Sequence, residues 1–245
     1  MFSFRRSVLL LALTVSASLG AHAQDASSQS AQPAAPAASA PQTTGPLTVQ
    51  ARLKARREQR RAAAIHDVYT HLYEAYVGAG YLRFTPGDAL QRVNEYSWDV
   101  GVSRYFNERL GVTIDGRGIY GSAYIGPNAA SNTAVYKPAV SQYAAMIGPT
   151  YRFLLEPKYS ISGRILAGGA YGNFSGDIHP FTPTSLGLYP NGAGAAVSAS
   201  IPVEYNFSPG VGFRVAPEYF LTNFGSTIQN SLGFTGGVVV RWGKQ

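Results

Sequence analysis

Few side chains in this sequence can act as nucleophiles, bases or metal ligands. The chain of 245 residues has no cysteine and four histidines. His66, His71 and His179 lie outside the N-terminal segment, and none has a serine two residues away to form a His-x-Ser base–nucleophile pair. No metal-ligand spacing, phosphate-binding glycine loop or nucleophile elbow occurs. We therefore expect no catalytic residue, no metal and no cofactor, and we interpret the histidines as interfacial or loop residues.

Carboxylates and guanidiniums are more numerous than these potential catalytic side chains. They recur at alternate positions of apolar segments. In "VNEYSWDVGV", residues 93–102, Glu95 and Asp99 lie at odd-numbered positions, one parity, and Trp98 lies at an even-numbered position, the other parity. Residues two apart lie on the same face of a strand. The members of this polar face are Glu74, Glu95, Asp99, Asp115, Glu204, Glu218, Arg117, Arg152, Arg164, Arg214 and Arg241. Six acids against five arginines predict ion pairs.

Two of these pairs follow from turn geometry. If residues 107–109 form a three-residue turn, Asp99 directly faces Arg117 on the next strand. The same rule, applied to the next-to-last hairpin, makes Glu204 face Arg214. Directly opposed residues of an antiparallel pair have Cβ atoms about 4.5–5.5 Å apart. We therefore expect an ion pair in each hairpin.

The elements that position these charges are eight strands, each with one apolar and one polar face, between about residues 71 and 242. Short and long connections alternate along the chain. The short ones are 107–109, 154–158 and 208–210, and the long ones are 85–94, 126–139, 173–194 and 223–230. A soluble β-sandwich has no reason for this alternation, whereas a transmembrane β-barrel combines short periplasmic turns with long extracellular loops. Both ends of the barrel segment then lie on the periplasmic side.

The apolar parity has the composition expected of a lipid-facing surface. It carries no Asp, Glu or Lys, and its two arginines, Arg83 and Arg104, lie at strand ends. A charge at mid-bilayer costs about 2–4 kcal/mol on a barrel and almost nothing at the interface. Aromatic residues expected at the membrane interfaces are Tyr96, Trp98, Tyr151, Phe153, Tyr205, Phe207 and Trp242. The carboxylates of the other parity are thus predicted to point into the barrel.

The N-terminal part of the chain divides into three segments by composition. Residues 1–23 have a positive start, an apolar stretch too short to span a bilayer and a small-residue end, which predicts a cleaved signal peptide. Residues 24–47 are rich in Ala, Pro and Ser and predict a disordered linker. Residues 48–67 predict a short basic helix that docks weakly, if at all, and residues 68–245 predict the barrel.

Signal peptide, strand number and loop asymmetry together resemble the small outer-membrane β-barrel family of Gram-negative bacteria (the OmpA/OmpX type) over residues 68–245. In the last strand Thr235, Gly237, Val240 and Trp242 resemble the signal that the outer-membrane insertion machinery reads. The resemblance implies an all-β, eight-stranded antiparallel up-and-down transmembrane barrel in the cell outer membrane. It also implies outer-membrane lipid, lipopolysaccharide and the insertion machinery as partners.

We expect a non-enzymatic protein with an envelope structural or surface-interaction role, whose lumen is plugged by charged side chains. The alternatives are a lipid-modifying enzyme of the lipid A deacylase or acyltransferase type, and a small diffusion pore. Eight strands disfavour the pore, because side chains fill so narrow an interior. The loop segments 126–139 and 176–195 are candidates for partner binding, although their composition indicates no particular ligand.

Six of the 20 Lys and Arg residues lie close together in the predicted helix. Its basic residues are Arg52, Lys54, Arg56, Arg57, Arg60 and Arg61. They either contact anionic lipid heads or cell-wall polymer in the periplasm, or they form a solvated spacer. Nucleic acid is not an expected partner of an exported protein.

Overall fold

The computed structural model describes residues 48–125, 137–225 and 227–244. The predicted signal peptide and linker, and most of the loop segment 126–139, lie outside the described residues. Within these residues, the regular structure consists of one helix, one short 3-10 turn at Thr184–Leu186 and nine strands. The long elements are α1 (Val49–Tyr69), β1 (His71–Phe84), β2 (Val93–Tyr105), β3 (Leu110–Ser122), β4 (Ala139–Leu155), β5 (Tyr159–Gly176), β6 (Gly192–Ser200), β7 (Val203–Ser208), β8 (Val211–Phe224) and β9 (Thr227–Lys244).

Strands β6 and β7 occupy one position in the sheet. Both lie between β5 and β8, and they are separated by Ile201 and Pro202. Proline has no N–H to donate to a neighbouring strand. The carbonyl of Pro202 still accepts from Ser162 N at 2.9 Å, and Ile201 N donates to the carbonyl of Pro217 at 3.1 Å. The nine strands therefore form eight positions.

These eight positions close into a ring. Each position pairs antiparallel with the next one along the chain, and β1 pairs with β9 as well as with β2. The β1–β9 register runs from His71 opposite Lys244 to Arg83 opposite Leu232. The expected all-β fold, an eight-stranded antiparallel up-and-down barrel, is confirmed. No helix in the described part of the chain is both long and apolar enough to cross a membrane.

Side chains that alternate along the sequence point alternately into the barrel and towards its outer surface. In β2, Glu95 is 1% exposed and Tyr96 is 68% exposed, and the pattern continues to Tyr105. The outer surface carries exposed Val, Ile, Leu, Phe, Tyr and Trp side chains from every strand position. So large an apolar belt is unfavourable in water and favourable in lipid. Closure of the ring leaves no unpaired strand edge in that belt.

Two hairpin turns set the register of the charged residues. The Oδ1 atom of Asn107 accepts from the backbone N–H groups of Arg109 (2.9 Å) and Leu110 (2.7 Å), a local turn motif of Asn. With this turn, Asp99 lies opposite Arg117. In the other hairpin, Ser208 and not Phe207 pairs with Val211, because the register shifts after Asn206. Glu204 nevertheless lies opposite Arg214.

The interior is divided between two apolar clusters with polar side chains between them. We call the end with α1 and the β2–β3, β4–β5 and β7–β8 turns the short-turn end, and the opposite end the long-loop end. The larger cluster fills the long-loop end. Its main barrel members are Leu82, Phe84, Ile119, Leu166, Phe174, Phe220 and Phe224, and Ile178, Leu186, Leu188 and Tyr189 reach it from the β5–β6 loop. The small cluster at the short-turn end consists of Val68, Tyr69 and Leu155, with Ile65 against it.

The C-terminal end of α1 is fixed to the short-turn end of the barrel. Tyr69 has no solvent exposure, and its hydroxyl donates to the carbonyl of Glu156 (2.8 Å) and accepts from Asn206 Nδ2 (2.8 Å). Arg61 donates to the Glu156 carboxylate, and His66 Nδ1 lies 3.0 Å from Glu108 Oε1. Burial raises the pKa of the Tyr69 phenol, so it remains a neutral donor.

The helix extends two residues beyond the predicted segment 48–67, and its buried residues, Val68 and Tyr69, belong to the segment predicted as barrel. The sequence did not indicate that Tyr69 would enter the barrel. Residues 52–63, by contrast, are exposed on all sides. Thr48 caps the N-terminus of the helix, since its Oγ1 accepts from Ala51 N at 3.3 Å, and Thr70 follows the helix before β1.

We predict that Tyr69→Phe lowers the stability of the barrel, whereas Tyr96→Phe does not. The first substitution removes a hydroxyl with two hydrogen bonds in a buried position, worth about 1–2 kcal/mol. The second removes a hydroxyl from an exposed ring. Urea unfolding of both variants in detergent, followed by tryptophan fluorescence, provides the comparison. Equal midpoints for Tyr69→Phe and the unsubstituted protein would contradict the anchoring role of Tyr69.

Candidate functional site

The candidate site is the polar interior between the two apolar clusters. Its lower layer, near the short-turn end, is built around Glu74 of β1 and Glu204 of β7. Three arginines from β4, β8 and β9 converge on these two carboxylates: Arg152, Arg214 and Arg241. All five side chains are at most 5% exposed. The lower layer thus joins strands that are not neighbours in the sheet.

Glu74 is the centre of the lower layer. Its Oε2 accepts from Arg152 Nη2 (2.8 Å) and Arg241 Nε (3.0 Å), and its Oε1 accepts from Arg214. Glu204 accepts from Arg214 Nε (2.8 Å) and from Arg241 Nη2. Removing a buried charge from water is costly, and several charge-assisted hydrogen bonds are needed to offset that cost. Each of the two carboxylates has at least two such bonds.

Tyrosine rings cover the guanidinium faces of this layer. Arg152 lies 3.5 Å from the ring centroid of Tyr105 and 5.1 Å from that of Tyr69. Arg214 lies 4.6 Å from the centroid of Tyr76. An aromatic face attracts a cation, and more strongly where water is excluded. The rings therefore stabilise the arginines on the sides that no carboxylate reaches.

The upper layer lies at mid-height and is centred on Arg117 of β3. Arg117 Nε donates to Asp115 Oδ1 at 2.8 Å, and its Nη1 donates to Glu218 of β8. Glu218 also accepts from Ser198 Oγ. The hydroxyl of Tyr76 donates to Asp115, so this ring touches both layers.

Two of the predicted ion-pair residues have different neighbours from those expected. Asp99 lies opposite Arg117 in the register, but the guanidinium of Arg117 turns to Asp115 and Glu218, and Asp99 Oδ1 has no hydrogen-bond partner. The expected Asp99–Arg117 ion pair is therefore wrong. The physical reason is competition, because one guanidinium has two other buried carboxylates within reach.

Arg164 is the second correction. It was expected to pair with a carboxylate, and instead its Nη1 donates to the hydroxyl of Tyr76 at 2.9 Å while its guanidinium lies 4.7 Å from that ring's centroid. Its Nε and Nη2 have no partner among the described residues. Glu204 and Arg214, by contrast, are both opposed in register and hydrogen-bonded.

Above the charged layers, one further acid marks the change to the apolar long-loop end. Both carboxylate oxygens of Glu95 accept from Gln142 Nε2, at 3.2 and 3.0 Å. The β5–β6 loop closes this end: Tyr189 N donates to the carbonyl of Pro86 (3.0 Å), and the Tyr189 hydroxyl donates to Asp88 Oδ1 (2.8 Å). Burial raises the pKa of the Tyr189 phenol, which lies outside the strands.

The chemistry of the interior is that of structural ion pairs. Guanidiniums remain protonated and cannot serve as bases, and they occupy the carboxylates around them. Of the histidines, His66 contacts Glu108 at the short-turn end, and His71 Nδ1 lies 3.0 Å from the carbonyl of Val68. No cluster of three or more His, Asp or Glu that could hold a metal occurs in the part of the chain that the structure describes.

Sequence reasoning did not identify the aromatic partners in the interior. Tyr76 and Tyr105 have the inward parity of their strands, so this parity could have revealed them. A second signal was available for Tyr76, because its cross-strand neighbour is Gly101. A Cβ at Gly101 would lie 2.4 Å from the Tyr76 ring, so the glycine makes room for the tyrosine.

The remaining predicted residues lie on β2, β4, β7 and β9. All seven predicted interfacial aromatics have exposed side chains on the outer surface. Trp242 stacks with Tyr73 at a centroid distance of 6.0 Å near the short-turn end.

In the predicted insertion signal of β9, Thr235 is buried and Trp242 is exposed. A Cβ at Gly237 would lie 2.2 Å from the carbonyl oxygen of Val77, so the close approach of β1 requires glycine there.

Comparisons with known proteins find similarity to solved structures at low sequence identity. No protein-family model and no curated protein matches the chain. The solved structures that it is similar to include Ail of Yersinia pestis in complex with the heparin analogue sucrose octasulfate (14% identity, 68% of this chain and 97% of that chain, TM-score 0.43). Others are Neisserial surface protein A (14%, 69% and 97%, 0.48) and the outer membrane protein OprG of Pseudomonas aeruginosa (12%, 70% and 97%, 0.41).

Identities and scores of this size give no information about what this chain binds. The fold is established by the closed register of the chain's own strands. That register makes this protein an eight-stranded barrel similar to the small outer-membrane β-barrels of Gram-negative bacteria.

Proposed function

We propose that this protein is a non-enzymatic outer-membrane barrel with an envelope structural or surface-interaction role, and that its lumen is plugged. One observation carries the proposal: Glu74 of β1 is hydrogen-bonded to arginines from β4, β8 and β9. β1 and β4 are three positions apart in the ring, so this bond crosses the interior. A crossing of this kind braces the barrel and occupies the space through which ions would pass.

Three successive barriers support the plugged lumen. Tyr69 and Tyr105 lie at the short-turn end, against the guanidinium of Arg152. The two charged layers follow, and the apolar cluster with the β5–β6 loop occupies the long-loop end. An eight-stranded barrel has an interior just wide enough for side chains to fill. A hydrated ion would need to displace both buried ion pairs and packed phenylalanines.

The location in the outer membrane is supported by the apolar outer surface of the closed ring. We propose that residues 1–23 are a cleaved signal peptide, that 24–47 are a linker, and that the β9 residues Thr235, Gly237, Val240 and Trp242 are read by the insertion machinery. Lipid and lipopolysaccharide would then contact the outer surface. The loops of the long-loop end would face outward and offer a surface for a partner.

We predict that the mature protein fractionates with the outer membrane and migrates differently on gels before and after heating. A closed barrel has no free edge from which detergent can unzip it, so the unheated form should stay folded. Membrane fractionation and paired heated and unheated gel lanes measure both properties. Recovery of the protein in the soluble periplasmic fraction would contradict the outer-membrane location.

We predict that Asp115→Asn destabilises the barrel and that Asp99→Asn does not. Asp115 accepts charge-assisted hydrogen bonds from Arg117 and from Tyr76, worth about 1.5–3 kcal/mol when a charged partner is involved. Asp99 is buried to a similar degree, but one of its oxygens has no partner, so the amide is at least as favourable as the carboxylate.

The two variants are matched controls, because the same substitution is made on adjacent strands at nearly the same depth. Urea unfolding midpoints of both variants, in the same detergent, give the comparison. If Asp99→Asn is the more destabilising of the two, the assignment of ion pairs in the upper layer is wrong.

A further inference from the structure

We propose that the N-terminal part of α1, residues 52–61, is a binding surface for the anionic cell-wall polymer of the periplasm. The polymer meant here is a glycan whose peptide stems carry free carboxylates. The proposal depends on the proposed function in one respect only, since an outer-membrane barrel places the short-turn end in the periplasm. We call residues 52–61 the basic segment.

The basic segment is held on a fixed support. Tyr69 is buried in the barrel, and Arg61 and His66 contact Glu156 and Glu108 in two different turns. At a rise of about 1.5 Å per residue, the 21 residues of α1 span about 31 Å. The basic segment therefore begins about 12 Å along the helix axis from Tyr69, and its residues are exposed on all sides. The helix presents its charges at a set place beneath the barrel.

The charges of the basic segment have almost no partners within the protein. It contains six basic residues and one acid, Glu58. Among the described residues, Arg61 is the only one of the six with a carboxylate within 4.0 Å. The barrel interior, by comparison, pairs nearly all of its arginines with carboxylates. Five of the six basic residues of this short exposed segment thus have no carboxylate partner among the described residues.

The spacing of these charges is unfavourable without a ligand. Arg52, Arg56 and Arg60 are four residues apart, so they lie above one another on one face of the helix. Like charges at this spacing repel and destabilise a helix. An external polyanion that lies along this row would remove the repulsion. A spacer with no binding role would have no need for the arrangement.

The sequence of the helix favours a polymer over a lipid surface. A helix that lies on a membrane needs an apolar face that enters the headgroup region. Leu53 is the one large apolar residue of the basic segment, and its helical neighbours at three, four and seven residues further on are Arg56, Arg57 and Arg60. Val49 lies four residues before it, but arginines end the apolar row after Leu53. A helix that is polar all round belongs in solvent, where it can bridge to another component.

Co-sedimentation with isolated cell-wall sacculi tests the proposal. The purified full-length protein, reconstituted in nanodiscs of zwitterionic lipid, is mixed with sacculi, and the bound fraction is measured against protein concentration. We expect R52Q/R56Q/R60Q to bind about tenfold more weakly than the unsubstituted protein. We also expect binding to fall in about 1 M salt, where the screening length is about 3 Å. Glutamine keeps a similar helix propensity, and circular dichroism verifies the fold.

The matched control removes three positive charges from the other end of the barrel, in R83Q/R92Q/K137Q. These residues are exposed near the long-loop end, and we expect this variant to bind sacculi as the unsubstituted protein does. Equal binding by the two triple variants would overturn the proposal. A failure to bind sacculi by a protein that fractionates with the outer membrane would overturn this inference and leave the proposed function intact.

Nanodiscs that contain anionic lipid distinguish the membrane from the polymer. If the basic segment binds the polymer, sacculi should capture the protein equally from anionic and from zwitterionic discs. If the segment instead lies on anionic headgroups, its arginines are occupied in the anionic discs, and sacculi binding is lost there. That result would contradict the proposal in favour of a lipid surface.

Discussion

A closed ring of strands forces its inward-facing charges to find partners across the lumen. Neighbouring strands supply only some of these partners, because directly opposed residues are set by the register and not by charge. The lower layer solves the problem with two carboxylates and three arginines from five different strands. Breaking such a cluster by removing one partner leaves a buried charge uncompensated, which costs about 3–5 kcal/mol. The position of each strand is thereby tied to the others through the interior.

The two ends of the barrel depend on this charged centre in different ways. At the short-turn end, Tyr69 brings α1 into contact with the lower layer, because its ring lies 5.1 Å from Arg152 and its hydroxyl accepts from Asn206. At the long-loop end, the interior changes from ion pairs to packed aromatic and aliphatic side chains, and the β5–β6 loop covers them. We therefore propose that the function depends on the outer surfaces, which are the apolar belt, the loops and the basic segment.

The sequence was sufficient for the parts of the structure that depend on periodicity. Strand alternation predicted the barrel and which residues face inward, and one turn rule placed Glu204 opposite Arg214. It was insufficient where several partners compete. Strand register alone predicted Asp99 as the ion-pair partner of Arg117. In the folded interior, the guanidinium of Arg117 binds two other carboxylates instead. Contacts such as Glu74 with Arg152 join residues far apart in the chain, and no local pattern reveals them. The apolar long-loop end was also missed, since alternation disappears where both faces are apolar.

Single-channel recording in a planar lipid bilayer tests whether the lumen is plugged. The purified barrel is inserted into the bilayer, and current is recorded in concentrated salt over a range of voltages. We expect no stable open level, since ion pairs, tyrosines and the apolar cluster occupy the path in series. A large, steady conductance from the unsubstituted protein would show that the lumen is open and not plugged.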